Sequence, residues 1–264
     1  MQIIKANNLS VLQNSRKKDL ITDPFPYIII EDALPESLYL SLEREYISDQ
    51  KLKSFWGIPD FENNKRYQIE NKLSWALDND IYSNIWRDFI RYHSSKEFFT
   101  EFVSLFGDSL IKKYHPSLEK RFPSLLNAGV VRRGDDNPNK FITMDVQPGI
   151  NSPVSSKSSV IGPHVDNKKE IYAGLLYMRL SDDNSIGGNL QIYKHRFLTK
   201  DYISEKYDRK DRPNESDLEL HATIPYKRNT FVMLLSSNIS FHGVSDRGLT
   251  KFNRRLVNII SEKK

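Results

Sequence analysis

Beyond Asn127 the sequence leaves helical spacing for short runs of β-branched and aromatic residues separated by turn formers, and this switch constrains the fold more than any other feature. Candidate strands are Ala128 to Arg133, Phe141 to Gln147, Ser159 to Val165, Ile171 to Leu180, Asn189 to Tyr193, Thr230 to Leu235 and Arg255 to Ile260. Strands this short, spaced by turns, fit a sandwich or barrel. The polar stretch from His195 to Glu219 has no clear period and reads as an insertion into that core, too long for a hairpin connection.

Before the switch the pattern is mostly helical. One strand is expected over Asp23 to Ile30, where Tyr27-Ile28-Ile29-Ile30 follows a proline pair. Leu34, Leu38, Leu42 and Tyr46 then recur every four residues as one helix face, with Pro35 suited to the first turn. Asn79 to Tyr114 reads as two helices, with stripes at Ile81, Ile85 and Phe89 and at Phe98, Phe102 and Leu105. Ser94 and Glu97 form a capping box between them, and Pro116 closes the region. The expectation is a single catalytic domain, with 1–126 as a strand and helical support and 127–264 as the β core, interrupted at about 195–219.

Composition removes several chemistries. The chain has no cysteine, so any metal must be held by nitrogen and oxygen. The net charge of +5, from 39 basic and 34 acidic side chains, is interspersed and fits an anionic small substrate, a nucleic acid or merely a soluble surface, the last being the reading preferred. Met1 to Leu20 carries Lys5, Arg16, Lys17 and Lys18 without the apolar stretch of a secretory signal, and no run is long enough to span a membrane, so a cytoplasmic location is expected.

His164-Val165-Asp166 places an imidazole and a carboxylate two residues apart, on one face if the backbone is extended. His242, in Ser240-Phe241-His242-Gly243-Val244 after the apolar run Phe231 to Leu235, is the candidate third ligand. Two histidines and one carboxylate make the facial triad that leaves open positions on iron(II). Downstream, Arg254-Arg255 opens the last apolar strand, where a buried guanidinium requires an anionic partner.

Taken in order, Gln147-Pro148-Gly149, Gly162-Pro163-His164-Val165-Asp166-Asn167, Leu175-Leu176-Tyr177-Met178, Gly187-Gly188-Asn189-Leu190-Gln191-Ile192-Tyr193, Phe241-His242-Gly243-Val244 and Arg254 resemble the prolyl-hydroxylase-like branch of the iron(II)/2-oxoglutarate oxygenases. Pro24-Phe25-Pro26-Tyr27-Ile28 is similar to the lead-in of that branch, and the motifs together cover about half of the chain. The resemblance implies a mainly β fold with flanking helices: a double-stranded β-helix, or jelly-roll, barrel preceded by an α-helical N-terminal region. It implies iron(II) on His164, Asp166 and His242, with 2-oxoglutarate and dioxygen as co-substrates. It also implies Arg254 on the far carboxylate of 2-oxoglutarate, with Tyr177 and Asn258 beside it. Gln147 stands where some relatives have a tyrosine touching the co-substrate. The reaction implied is hydroxylation of a C–H bond, with release of succinate and carbon dioxide, on a small molecule or a protein side chain.

Two other readings fit a jelly roll: a cupin-like metalloenzyme that does not use 2-oxoglutarate, and a non-catalytic module binding saccharide or nucleic acid through Trp56 and Trp75. Those tryptophans are expected to pack against the helices. His93, His115, His195 and His221 lack an acidic partner at two-residue spacing and read as structural or surface groups. Asp135-Asp136 and Asp182-Asp183 read as solvated turns. Only one of Arg254 and Arg255 can face inward. Hydrophobicity alone favours Arg255, which Val257 and Ile259 would accompany. The resemblance, which implies a polar residue four positions after the basic one, favours Arg254, with Leu256, Asn258 and Ile260 on its face.

Overall fold

A computed structural model describes residues 9–264 apart from 70–72, 80, 136, 138, 157, 159–160 and 208–212. Its elements run β1 (Tyr27–Ile30), α1 (Glu36–Arg44), α2 (Asp49–Trp56), β2 (Arg66–Gln68), α3 (Leu73–Asp78), α4 (Asn84–His93), α5 (Lys96–Phe106), α6 (Asp108–Tyr114), α7 (Pro116–Arg121), β3 (Val130–Arg132), β4 (Ile142–Asn151), β5 (Glu170–Tyr177), β6 (Leu190–His195), β7 (Leu218–Ile224), β8 (Thr230–Leu235), β9 (His242–Val244) and β10 (Arg254–Lys263).

A large sheet runs β1-β8-β5-β10-β4-β2, with β3 also on β4, and a small one runs β7-β6-β9. A cavity opens between them, lined by β2, β4, β5, β8 and β10 from one sheet and by β6 and β9 from the other. The opposite face of the large sheet takes the helices. Phe102 of α5 packs on Tyr172 of β5 with ring centroids 4.4 Å apart, and the Tyr46 hydroxyl donates to the Gly149 and Leu256 carbonyls. Alternation along β10 therefore sorts its side chains. Val257 and Ile259 are fully buried on one face, while Asn258, Ile260 and Glu262 line the cavity on the other.

The helical segment departs from its sequence reading in several places. Gly107, at φ +87°, breaks the stretch before Tyr114 into α5 and α6, so that three helices occupy it. Trp86, Phe89, Ile90 and His93 form the buried face of α4, with Ile81 and Ile85 only partly buried. Ser94 bonds backward to the Ile90 carbonyl, so the cap of α5 falls to Ser95, which accepts from the Phe98 amide. Pro116 opens α7 instead of closing the region, because the first turn has no use for the missing N–H.

Among the strands, Ser159 to Val165 is corrected. Residues 159–160 lie outside the described set, and the rest holds a single bridge, His164 to His242. The polar insertion ends earlier than expected, since Leu218 and Glu219 already belong to β7. Trp56 and Trp75 are 38% and 49% exposed, joined to Phe55 in an aromatic cluster at the surface. Asp183 is buried beside Arg179, at 3.7 Å, and is no solvated turn. Asp136 lies outside the described residues. No described helix is long and apolar enough to cross a membrane.

Candidate metal centre and its cavity

His164, Asp166 and His242 are brought together and buried, with one candidate ligand atom from each within 4.8 Å of the others. Two backbone bonds of 2.9 Å tie His164 to His242, N–H to carbonyl in both directions. Gly243 allows this approach, since a Cβ there would lie 3.0–3.2 Å from backbone atoms of Gly162 and Pro163. The Nδ1 atoms of His164 and His242 lie 2.9 and 3.0 Å from the carbonyls of Gly162 and Ser240. A carbonyl only accepts, so both Nδ1 atoms donate, and both Nε2 lone pairs are left for the interior. Those nitrogens stand 3.8 and 3.6 Å from the two oxygens of Asp166. Acceptors gathered so closely repel one another, and a cation between them reverses the sign of that interaction. Nitrogen and carboxylate donors without sulfur suit iron(II).

The cavity holding this cluster has a volume of about 490 Å³, the size of a small-molecule site. One wall is a hydrogen-bonded series. Asn258 Nδ2 donates to Gln68 at 2.7 Å, Gln68 to Gln147 at 2.9 Å, and Gln147 to Asp145 at 2.6 Å. Arg133 pairs with Asp145 at 2.6 Å and with Glu262 at 2.5 Å. Burial pushes the Asp145 carboxyl up to about 6, while Arg133 and Gln147 pull the other way.

Arg254 is 1% exposed and shares the inward face, whereas Arg255 lies over the Tyr46 ring on the other. Its guanidinium sits 5.0 Å from the ring centroids of both Tyr177 and Tyr226. Nε donates to the Gly188 carbonyl at 2.7 Å and Nη1 to Asn151 Oδ1 at 3.1 Å. Arg254 Nη2, Asn151 Nδ2 and the Tyr177 hydroxyl are buried with no well-formed hydrogen bond. Arg254 Nη2 and Asn151 Nδ2 only donate, while the Tyr177 hydroxyl can donate or accept and lies beside Arg254, so an acceptor, and beside a guanidinium an anion, would complete the group. A carboxylate has the chemistry to satisfy these groups. Asn258 and Gln147 line the cavity, but Arg254 and Tyr177 stand behind its wall.

The remaining histidines are structural or exposed. His93 donates to the Phe89 carbonyl and accepts from the Val11 amide, and burial pulls its pKa down to about 3. His115 bonds the Ile171 carbonyl and is pulled down to about 4, first by burial and then by Lys263. His195 accepts from the Phe197 and Leu198 amides, and His221 is exposed. Sequence reasoning missed Arg66, Gln68, Arg133, Asp145, Asn151 and Glu262. Their one signal was a polar residue at every second position of an apolar strand, as in Asp145 and Gln147.

The first part of the insertion is pinned. Glu205 accepts from the Ser117 amide and hydroxyl and pairs with Lys263, and Asn238 bonds both Tyr202 and Ser204. Just beyond, the Tyr207 hydroxyl is buried without a hydrogen bond. Burial raises its pKa most, and the charges of Asp166 and Glu170 add to that.

No protein-family model matches the chain, and no curated protein matches it in sequence. Among solved structures, a prolyl 4-hydroxylase from Phytophthora capsici is similar over 100% of this chain and 67% of its own, at 12% identity and a TM-score of 0.54. A Pseudomonas putida prolyl-4-hydroxylase (11% identity, 90% of this chain and 92% of that one, TM-score 0.45) is less similar. So is the non-heme alpha-ketoglutarate-dependent epimerase SnoN from nogalamycin biosynthesis (8%, 90% and 78%, TM-score 0.47), and nothing below rests on either. The chain has the fold of a prolyl 4-hydroxylase, mostly β sheets with flanking helices, and on that fold it carries a buried His–Asp–His cluster.

Proposed function

We propose that this chain is an iron(II)- and 2-oxoglutarate-dependent oxygenase whose two sheets form a double-stranded β-helix, with His164, Asp166 and His242 as the metal ligands. The observation that carries the reading is that the triad lines a cavity of small-molecule size, with a row of buried donors close behind the wall. A metalloenzyme without 2-oxoglutarate would leave that row unsatisfied at a cost of about 1–3 kcal/mol per group.

The protein's share of the work is orientation and exclusion of water. The Nδ1 bonds fix the two imidazoles so that, together with Asp166, they would hold the metal at the cavity. Arg254, with Tyr177 and Asn151, receives the far carboxylate of 2-oxoglutarate, and Asn258 and Gln147 flank its chain. Bound iron(II) with 2-oxoglutarate supplies oxidation of a C–H bond by dioxygen, releasing succinate and carbon dioxide. The retained carboxylate of Asp166 supports hydroxylation as the outcome. The substrate is a small molecule or a protein side chain, reached past Tyr207 and the strap that carries it.

The test is metal content with succinate release. One iron per chain is expected in the wild type, with most of it lost in His164→Ala and His242→Ala. Full iron occupancy in either variant would sink the assignment.

A further inference from the structure

Two buried groups near the triad lack opposite things. The Tyr207 hydroxyl is buried with no hydrogen bond. Asp166 is buried too, and its carboxylate accepts no hydrogen bond from any described residue. Its oxygens lie 3.8 and 3.6 Å from the Nε2 atoms of His164 and His242, which carry no proton when both Nδ1 atoms donate to carbonyls. As a metal ligand, Asp166 offers one oxygen alongside the two imidazoles. Its second oxygen then keeps lone pairs with no donor, although ligating carboxylates are ordinarily hydrogen-bonded from outside.

The fold sets the two groups close together. Lys263, at the end of β10, donates its amide to the Lys169 carbonyl at 2.8 Å, three residues along from Asp166, and its ammonium to Glu205 of the strap. Glu205 is also held by the Ser117 amide and hydroxyl of α7, so the strap is fixed at this point. Tyr207 follows two residues later, at most about 7 Å of extended chain away. Burial, and then the charges of Asp166 and Glu170, hold the proton on its hydroxyl, which makes it a donor. Of the carboxylates around it, Glu205 is engaged by Ser117 and Lys263, and Glu170 has a partner as well. Asp166 is left.

We infer that Tyr207 is a positioning residue of the metal centre, its hydroxyl donating to the oxygen of Asp166 that the metal does not take. The inference rests on the metal ligands assigned above and adds the strap to their support. It also gives the Glu205 anchor a purpose, since the segment it fixes carries the donor that orients Asp166.

The experiment is titration of the metal-free full chain with zinc(II), which has no redox chemistry of its own, followed by calorimetry and by the near-ultraviolet tyrosine difference spectrum. The wild type should take up zinc and show a tyrosine difference band as the hydroxyl gains its acceptor. Tyr207→Phe removes the hydroxyl and keeps the ring. It should lack that band and bind zinc about 10–100-fold more weakly, the range for loss of a ligand's outer support. Without metal it should melt no lower than the wild type, because the hydroxyl removed has no partner there. A tyrosine that merely held the fold would lower both. The inference is overturned if Tyr207→Phe binds zinc within about twofold of the wild type, well short of that range, as it would if the hydroxyl served a substrate alone. It is equally overturned if the variant keeps the band, or melts lower without metal. Failure of the wild type to take up zinc would instead overturn the ligand assignment, and this inference with it.

Discussion

Gly243 shows how much a single position can decide. A methyl there would meet the backbone of Gly162 and Pro163, the two residues leading into His164, and backbone cannot swing aside as a long side chain can. Gly243→Ala should therefore shift His164 relative to His242 and lower metal affinity by about 10–100-fold, the range seen when the outer support of a ligand is disturbed. Metal titration of the folded variant checks this, and unchanged affinity would mean that the bridge yields elsewhere. The triad itself was legible in sequence, because two-residue spacing is a local property of extended chain and survives even though His164 holds a single bridge instead of a strand. Arg66 and Asn151 were not. What makes them neighbours is a pairing between distant strands, and nothing in either segment alone announces it.

At the scale of elements, the hydrophobicity of β10 pointed to the wrong register, with Val257 and Ile259 inward. The family pattern, which sets a polar residue four positions after the basic one, pointed to Asn258, which lines the cavity while Val257 and Ile259 are buried under the helices. The helix boundaries were misplaced by one or a few residues where side chains compete for the same backbone groups, as Ser94 and Ser95 do. β7 escaped notice because most of it is half-buried or exposed, which thins the alternation that marks a strand. The strap before it tests how the insertion is held. Glu205→Ala removes the acceptor for Ser117 and the partner of Lys263, and should cost about 1.5–3 kcal/mol, as for hydrogen bonds to a charged group. Amide exchange over residues 200–207 should rise in that variant, with the sheets unaffected. We further expect exchange in this segment to slow when a verified substrate is added, and an identical exchange pattern would count against a role in closing the cavity.

For the whole molecule, stability should follow the occupancy of the site. A ligand present at 100 times its dissociation constant adds about 2.7 kcal/mol to the folded state. Metal and 2-oxoglutarate should thus raise the melting temperature in two separable steps, and Arg254→Gln should abolish the second alone. Scanning calorimetry with each addition checks it, and a second step surviving in Arg254→Gln would remove that residue from the seat. Stability should also depend on pH through Asp145. Burial holds its carboxyl up near 6, so the folded chain binds that proton more tightly than the unfolded one. The stabilisation is complete below about pH 4, the unfolded carboxylate value, and is lost as pH rises through about 6. Asp145→Asn cannot ionise, and its denaturation midpoints should lack this fall. Parallel slopes for the two proteins would refute the assignment.

The exposure gradient along β10 has a kinetic meaning. Arg254 at one end is sealed, while Glu262 at the other lines the cavity and is only partly covered, so in the proposed oxygenase the diacid would lie at the covered end and substrate would enter from the other. Whatever sits deepest must go in first. Diacid and substrate should therefore add in compulsory order, with substrate trapping the diacid beneath it, and excess substrate should slow turnover by occupying that entrance ahead of the diacid.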